Sequence, residues 1–194
     1  MTKIGITGSI ASGKSTFAKM MSGKKYPLFS ADLVVAKLYK EQSFIKTIIR
    51  QYKLQNKSKI KEQIQLLVQK KRNNFKKLEK IIHPLVREKM KTFFFYLLQR
   101  RLLHQNISSI YLIPLLVENK LMRYFDVIIF VGASKKKRMQ RYISKKGTKK
   151  TFKLLDNRQL KPNKKIIYAD YVVNNIDSLK KLRESAKIII KNYE

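Results

Sequence analysis

The sequence predicts an α/β protein in which helices cover a five-stranded parallel sheet in three layers. Short apolar runs, rich in β-branched residues, alternate with helical segments along the chain. One of these runs, 127–131, is apolar at every position, as is usual for a strand buried on both faces of a parallel sheet. A glycine-containing loop follows the first run and opens a helix. These observations together favour a doubly wound sheet with a phosphate-binding loop.

The composition fits one folded domain, or one core with a small appended subdomain. The chain has 194 residues, and 44% of them are hydrophobic, which argues against disorder despite the high charge. It contains no cysteine, so disulfides, thiolate nucleophiles and cysteine-ligated metals are excluded. Its longest apolar stretch, 110–117, is far shorter than a membrane span. We expect a cytoplasmic protein with no membrane partner.

The charge balance is strongly basic. Lys and Arg number 45 against 12 Asp and Glu, a net charge of +33. Such a surface attracts anions of many kinds. Lys, Ile and Asn recur throughout the chain, as a biased codon usage would produce. Both interpretations stay open: solvated lysines without a partner, or a surface selected to bind a polyanion.

The elements of the first half follow from these patterns. Strands are predicted over 2–7 and 26–29, and helices over 14–21, 31–39 and 44–52. Residues 58–105 have helical spacing, and Pro84 is expected to begin a new helix as its first-turn residue. The whole block of about 42–105 is predicted as a helical insertion that covers a substrate.

The second half continues the alternation. Strands are predicted over 109–113, 126–131 and 171–173, and helices over 134–146, 148–160 and 178–192. The basic region of about 134–160 is predicted as a lid, with Gly147 as its hinge. Arg138 and Arg141 share one face of its first helix, with Lys145 a turn further on. An ordinary solvated basic face is the alternative for these residues.

Residues 8–15 match the pattern G-x-x-x-x-G-K-[ST] at every fixed position. Gly8 and Gly13 permit a tight turn that brings backbone N–H groups against phosphate oxygens. Lys14 supplies a charge for the β and γ phosphates, and the Ser15 hydroxyl can ligate Mg²⁺. The remaining nucleotide contacts are expected from Ala11, Ser12 and Thr16. The loop predicts binding of a nucleoside triphosphate with Mg²⁺, but not the fate of the phosphate.

Three further residues are candidates on the acceptor side. Asp32 follows the second strand, where a carboxylate could accept a hydroxyl proton, although Asp is also a good helix N-cap. His83 lies among helices, and Glu118 follows the third strand. On this evidence alone, structural roles are favoured over functional ones for both His83 and Glu118.

Taken together, the motifs resemble those of dephospho-CoA kinases, within the nucleoside-monophosphate-kinase-like P-loop kinases. The resemblance runs nearly the whole chain. The loop is generic to many NTPases, whereas His83-Pro84, the segment 114–118 and the segment 169–175 are more specific. Arg158-Gln159 also belongs to the matching pattern.

The resemblance implies the three-layer P-loop kinase fold and transfer of the ATP γ-phosphate to the ribose 3′-hydroxyl of dephospho-CoA, with Mg²⁺. It implies that Asp32 is the base or orienting carboxylate and that Arg141 is the lid arginine on the phosphates, supported by Arg138 and Lys145. It places Asn175 beside the ATP base. The dephospho-CoA site would be shaped by His83 and by Pro114, Leu115 and Glu118.

The sequence departs from the family pattern at four places. Ser30 stands where a first carboxylate is usual, Lys145 replaces a second lid arginine, and Ile176 replaces a glycine. The stretch between the second strand and His83 is short, with Lys61 near the usual position of an arginine. An arginine presents a planar pair of donors to phosphate that a lysine cannot reproduce.

Two rival functions remain on the sequence. One is another small-molecule P-loop kinase, acting on a nucleoside or nucleoside monophosphate. The other is a nucleic-acid-associated NTPase, suggested by the net charge. No apolar strand ending in Asp-Glu follows the loop, as a helicase-type motor would have. No specific nucleic-acid partner is therefore expected, and the sequence leaves the oligomeric state open.

Overall fold

A parallel β-sheet carries the fold. Its strands are β1 (Lys3–Gly8), β2 (Leu28–Ser30), β3 (Ser109–Leu112), β4 (Val127–Gly132) and β5 (Tyr171–Asn174). They lie in the order β2-β3-β1-β4-β5, and every neighbouring pair is parallel. The predicted five-stranded parallel sheet is confirmed, and β1 occupies its centre.

A computed structural model describes residues 1–54, 59–70, 72–101 and 108–193. Its helices are α1 (Lys14–Ser22), α2 (Ala31–Leu38), α3 (Gln42–Tyr52), α4 (Ile60–Lys70), α5 (Arg72–Arg101), α6 (Lys135–Ser144), α7 (Lys149–Arg158), α8 (Pro162–Ile166) and α9 (Leu179–Lys191). A short 3₁₀ turn over Met122–Tyr124 precedes β4. The chain forms two compact units, Met1–Ser30 with Leu98–Glu194, and Ala31–Leu97.

The first unit has its core on both faces of the sheet. Ile4 and Ile6 point to the face covered by α1 and α9, where they pack with Phe17 and Ala186. The alternate residues point to the other face, where α8 packs against β4. A side chain at Gly5 would collide there with Leu116 and the Phe125 ring. This alternation follows from the two-residue period of a strand.

The second unit is helical and has an apolar core of its own. Six buried residues from α2, α3 and α4 form it: Leu38, Phe44, Ile48, Ile60, Ile64 and Val68. The Tyr39 ring meets Phe44 edge-on at 5.1 Å between centroids. Burial raises the pKa of Tyr39 to about 12, with the nearby Tyr52 adding to the effect. Residues 102–105, the end of the predicted insertion, lie outside the described residues.

Pro84 does not begin a helix, so that prediction was wrong. It lies inside α5, which runs without interruption over 30 residues. Proline lacks the N–H that would bond the carbonyl of Lys80, and it costs about 3 kcal/mol in a helix interior. Ile81, Ile82 and Leu85 pack against the core of the second unit on either side of Pro84. Their burial keeps the helix continuous across the defect.

Helix α8 was not predicted. It spans only five residues, too few for a periodic apolar pattern to show, and Pro162 stands in its first turn. Its one fully buried side chain is a lysine, Lys165, which apolar patterning cannot identify.

Candidate active site at the phosphate loop

The loop of residues 8–15 joins the carboxyl end of β1 to α1. A Cβ at Gly8 would collide with the Val131 carbonyl of the adjacent strand, so only glycine lets the two backbones approach this closely. Gly13 precedes α1 with φ 94°, a left-handed conformation that favours glycine. Both fixed glycines of the motif therefore have a steric reason in this structure.

Lys14 lies across the loop. Its ammonium donates to the Ser9 carbonyl at 3.2 Å, and the side chain is largely buried. The Ser12 N–H donates to the same carbonyl at 3.2 Å, which closes the turn. Ser15 and Thr16 stand exposed in the first turn of α1. The N-terminal N–H groups and partial positive charge of that helix make this end an anion site.

Asn175 and Arg141 meet at the Ser12 carbonyl. The Asn175 amide donates to it at 2.8 Å, and an Arg141 guanidinium nitrogen lies 3.3 Å away. Arg141 also donates to the Asn175 backbone carbonyl at 3.0 Å and to its side-chain oxygen at 3.4 Å. Asn175 is buried, and its amide bonds the loop. The structure thus gives Asn175 a role in holding the loop, while the expected contact with the ATP base stays a prediction.

The buried Arg138 side chain connects several groups around the loop. It is 4% exposed, and its Nε donates to the Ala133 carbonyl at 3.1 Å. One terminal nitrogen pairs with the Asp156 carboxylate at 2.5 Å and lies 3.4 Å from the Ile10 carbonyl. The guanidinium also lies over the Phe152 ring, 5.6 Å from its centroid. These contacts join α6, α7 and the loop, and the contacts of Arg138 and Arg141 with phosphate stay predictions.

Gly147 follows α6, where the sequence predicts a hinge. A Cβ there would collide with the Tyr142 ring, which also packs against Phe152 at 5.8 Å. The Gly147 N–H donates to the Tyr142 carbonyl at 3.1 Å. A need for close packing therefore accounts for this glycine, and hinge motion stays a prediction. Lys145 is the exposed C-cap residue of α6.

The turn after β3 contains the three residues predicted for the substrate. The Pro114 carbonyl accepts from the Thr7 hydroxyl at 3.1 Å, and Leu115 is half-buried. Glu118 pairs with Lys165 at 2.5 Å and accepts the Leu160 N–H at 3.1 Å. Its second oxygen is buried with no hydrogen bond to a described residue. The contacts of Glu118 are thus structural contacts within the first unit. Its contact with substrate stays a prediction.

The second unit contains the other two candidates. Asp32 lies in the first turn of α2 with its side chain exposed, two residues beyond β2. His83 lies midway along α5, 3.8 Å from the Glu79 carboxylate. Partial burial, helped by the Arg87 charge, lowers the pKa of His83. The shift favours the neutral imidazole, which can both donate and accept a hydrogen bond.

Two supporting residues had no predicted role. Gln159 accepts the Ile10 N–H at 2.8 Å, and the fully buried Lys165 holds Glu118. The sequence offered Gln159 only as part of the family pattern, and it offered Lys165 no signal among 45 cations.

The donor set suits Mg²⁺ that arrives with a nucleotide. Among the described residues, no group of three His, Asp or Glu side chains could hold a metal. The Ser15 hydroxyl is exposed at the first turn of α1. Mg²⁺ in phosphate-transferring sites takes most of its ligands from phosphate and water, so one hydroxyl beside a phosphate loop fits it. In the same described ranges, no helix combines the length and hydropathy needed to cross a bilayer.

A phosphate loop at the carboxyl end of the central strand, bonded by Arg141 of α6 and by Gln159 at the end of α7, defines a P-loop fold. Shikimate kinase from Bacteroides thetaiotaomicron shares this fold, with a TM-score of 0.55 at 11% identity over 98% of this chain and 97% of that one. A crystal structure from Thermus thermophilus aligns with a TM-score of 0.76 at 24% identity, covering 100% and 98% of the chains.

The family follows from sequence comparison. The model of the family described as CoaE, dephospho-CoA kinase, matches residues 2–181. Dephospho-CoA kinase of Bartonella henselae is 33% identical over 99% of this chain and 98% of its own length. That of Rickettsia typhi is 31% identical over 100% and 98%. The chain belongs to the dephospho-CoA kinase family.

Proposed function

We propose that this chain transfers the γ-phosphoryl group of ATP to the ribose 3′-hydroxyl of dephospho-CoA, giving CoA and ADP. Family membership over residues 2–181 is the observation that carries the proposal. In the reaction the 3′-oxygen forms a bond to the γ-phosphorus, while the bond to the β,γ-bridging oxygen breaks. The hydroxyl proton passes to a base, and ADP leaves with the bridging oxygen.

The loop supplies the donor side. Its backbone N–H groups and the first turn of α1 receive the β and γ phosphates. Lys14 would exchange its bond to the Ser9 carbonyl for the phosphate oxygens, and Arg141 would reach the same charge from α6. Preorganised cations of this kind stabilise charge that develops in the transition state. Mg²⁺, held by Ser15 and the phosphates, would neutralise further charge.

Asp32 supplies the acceptor side. Strands β2, β3 and β1 are parallel neighbours, so their carboxyl ends share one edge of the sheet, and Asp32 lies just beyond β2. Its carboxylate would orient the 3′-hydroxyl and take its proton. A well-placed general base contributes about 10²–10⁴ in rate.

The same proposal assigns the two regions predicted from sequence. The block 42–105 would cover dephospho-CoA, with His83 and the turn of residues 114–118 as contacts. The lid region, residues 134–160, would exclude water during transfer. A chain without cysteine fits the reducing cytoplasm.

A substrate panel tests the proposal. Purified protein with ATP and Mg²⁺ should release ADP when dephospho-CoA is added, and the product should lose its new phosphate to a 3′-nucleotidase. Nucleosides and nucleoside monophosphates should give little turnover. Faster ADP release with one of those acceptors than with dephospho-CoA would reject the assignment.

A further inference from the structure

Both polar backbone atoms of Ile10, in the middle of the phosphate loop, are bonded to side chains of the lid region. The Ile10 N–H donates to the Gln159 side-chain oxygen at 2.8 Å. The Ile10 carbonyl accepts from Arg138 at 3.4 Å. Residues outside the loop therefore bond both groups of Ile10, whereas the turn hydrogen bond within the loop joins Ser12 to Ser9.

The segment that carries Gln159 is itself fixed. Gln159 ends α7 in an extended conformation, and its N–H donates to the Asp156 carbonyl at 3.2 Å. The next N–H, of Leu160, donates to Glu118 at 3.1 Å. Glu118 is in turn paired with Lys165, whose side chain is fully buried. The Gln159 amide therefore approaches Ile10 from a backbone tied to the interior.

We propose that Gln159 is a positioning residue for the phosphate loop, acting through the Ile10 amide. Its side-chain oxygen accepts the Ile10 N–H and so fixes the orientation of that peptide group. The directions of the following loop N–H groups depend on this orientation. A loop already in its binding conformation loses less entropy when phosphates bind. Without the acceptor, the Ile10 N–H is left unsatisfied and the peptide is free to rotate.

The inference rests on the proposed binding of ATP at this loop, but its test does not need the phosphoryl acceptor. Inorganic tripolyphosphate with Mg²⁺ probes the loop alone, and its affinity can be measured by calorimetry. Gln159→Met removes the acceptor at nearly constant size, whereas Gln159→Glu keeps an oxygen in the same place. Gln140→Met, at an exposed position on α6, is the matched control.

We expect Gln159→Met to weaken tripolyphosphate binding about tenfold, as loss of one partner of a protected N–H predicts. Gln159→Glu keeps the acceptor but adds a charge that repels the anion, so its difference from the parent should shrink as salt screens that charge. Gln140→Met should match the parent. Affinity for adenosine, which has no phosphate, should not change in any variant. In the kinase assay, KM for ATP should rise in Gln159→Met while KM for dephospho-CoA is unchanged.

Unaltered tripolyphosphate affinity in Gln159→Met would overturn the inference, and so would an equal loss of adenosine affinity. An equal loss of tripolyphosphate affinity in Gln140→Met would exclude the acceptor role. Should Gln159→Met fail to fold, Gln159→Ser removes the same oxygen by shortening the side chain and serves the same comparison. If dephospho-CoA gives no turnover while Gln159→Met still binds tripolyphosphate more weakly than the parent, the proposed function is rejected and this inference stands.

Discussion

At the scale of single residues, Lys14 shows how the loop holds the cation that we propose for catalysis. Its ammonium bonds the Ser9 carbonyl, within the turn that is proposed to receive the phosphates. The cation is therefore partly desolvated and already near its place of action. Under the proposed function, little reorganisation would be needed when a triphosphate displaces the bond to the Ser9 carbonyl.

We expect Lys14→Ala to reduce turnover by at least about 10²–10³, the loss typical for one preorganised electrostatic group. The fold should persist, because the loop turn is closed by the Ser12 N–H and not by Lys14. Steady-state ADP release and a thermal melt measure the two effects. Lys19→Ala, at an exposed position on the same helix, should change neither, and wild-type turnover in Lys14→Ala would exclude Lys14 from the reaction.

Asp32→Asn should preserve ATP binding and reduce phosphoryl transfer about 10²–10⁴-fold, because the amide cannot accept the hydroxyl proton. Nucleotide affinity by calorimetry and ADP release separate the two quantities. Glu88→Gln, which removes an exposed carboxylate from α5, controls for charge. Transfer at the parent rate in Asp32→Asn would remove this residue from the mechanism.

His83 allows a pH test. Burial chiefly, and the Arg87 charge in addition, lower its pKa below the ordinary 6.5, so the native state favours the neutral ring. This contribution to stability is complete above pH 6.5 and declines as the pH falls below that value. Arg87→Gln should raise the pKa of His83 but leave it under 6.5, as followed by NMR titration of the ring protons. A pKa at or above 6.5 in the parent would contradict this account.

At the scale of elements, the buried pair Glu118–Lys165 joins the turn after β3 to α8 and to the end of α7. Lys165 also lies 3.5 Å from the Pro114 carbonyl. A charged pair so enclosed is costly to break, because the remaining partner is left without solvent or counter-ion.

We expect Lys165→Met to lower the free energy of unfolding by about 3–5 kcal/mol, since the Glu118 carboxylate loses its partner. Adding Glu118→Gln should recover part of this loss, because no lone charge then remains. Urea unfolding curves measure both. Lys164→Met, at the exposed neighbouring position, should be neutral, and a neutral Lys165→Met would show that the pair contributes no stability.

The sequence predicts strands better than contacts. Runs such as 127–131 identify themselves because a doubly covered strand is apolar throughout, and β4 is found there. The two loop glycines can be predicted equally well. The close backbone approach at Gly8 and the left-handed conformation of Gly13 leave few other residue types possible. The prediction at Pro84 was wrong because packing on both sides of it overrides the preference of proline for the first turn of a helix.

The contacts around the loop could not be predicted in the same way. Arg138 pairs with Asp156 across the two lid helices, and Lys165 pairs with Glu118 across 47 positions. In a chain with 45 cations and 12 carboxylates, composition alone cannot select these partners. Three-dimensional proximity decides them, and sequence spacing does not encode it.

At the scale of the whole molecule, the net charge of +33 dominates long-range behaviour. Nucleic acid should bind through its phosphates, with an affinity that falls steeply as salt rises. We expect no stimulation of ATP turnover by DNA or RNA at about 0.15 M salt, measured by ADP release with and without each polymer. Marked stimulation under those conditions would instead favour a nucleic-acid-associated NTPase.

The close packing of Tyr142 against Gly147 and Phe152 also offers an optical window. The chain contains no tryptophan, so Tyr142→Trp would place a solitary indole between the two basic helices. Its emission wavelength would depend on the polarity at that junction alone. A rearrangement of α6 against α7 on nucleotide binding would then change the tryptophan fluorescence in real time. No other residue of the chain would contribute when tryptophan is excited selectively.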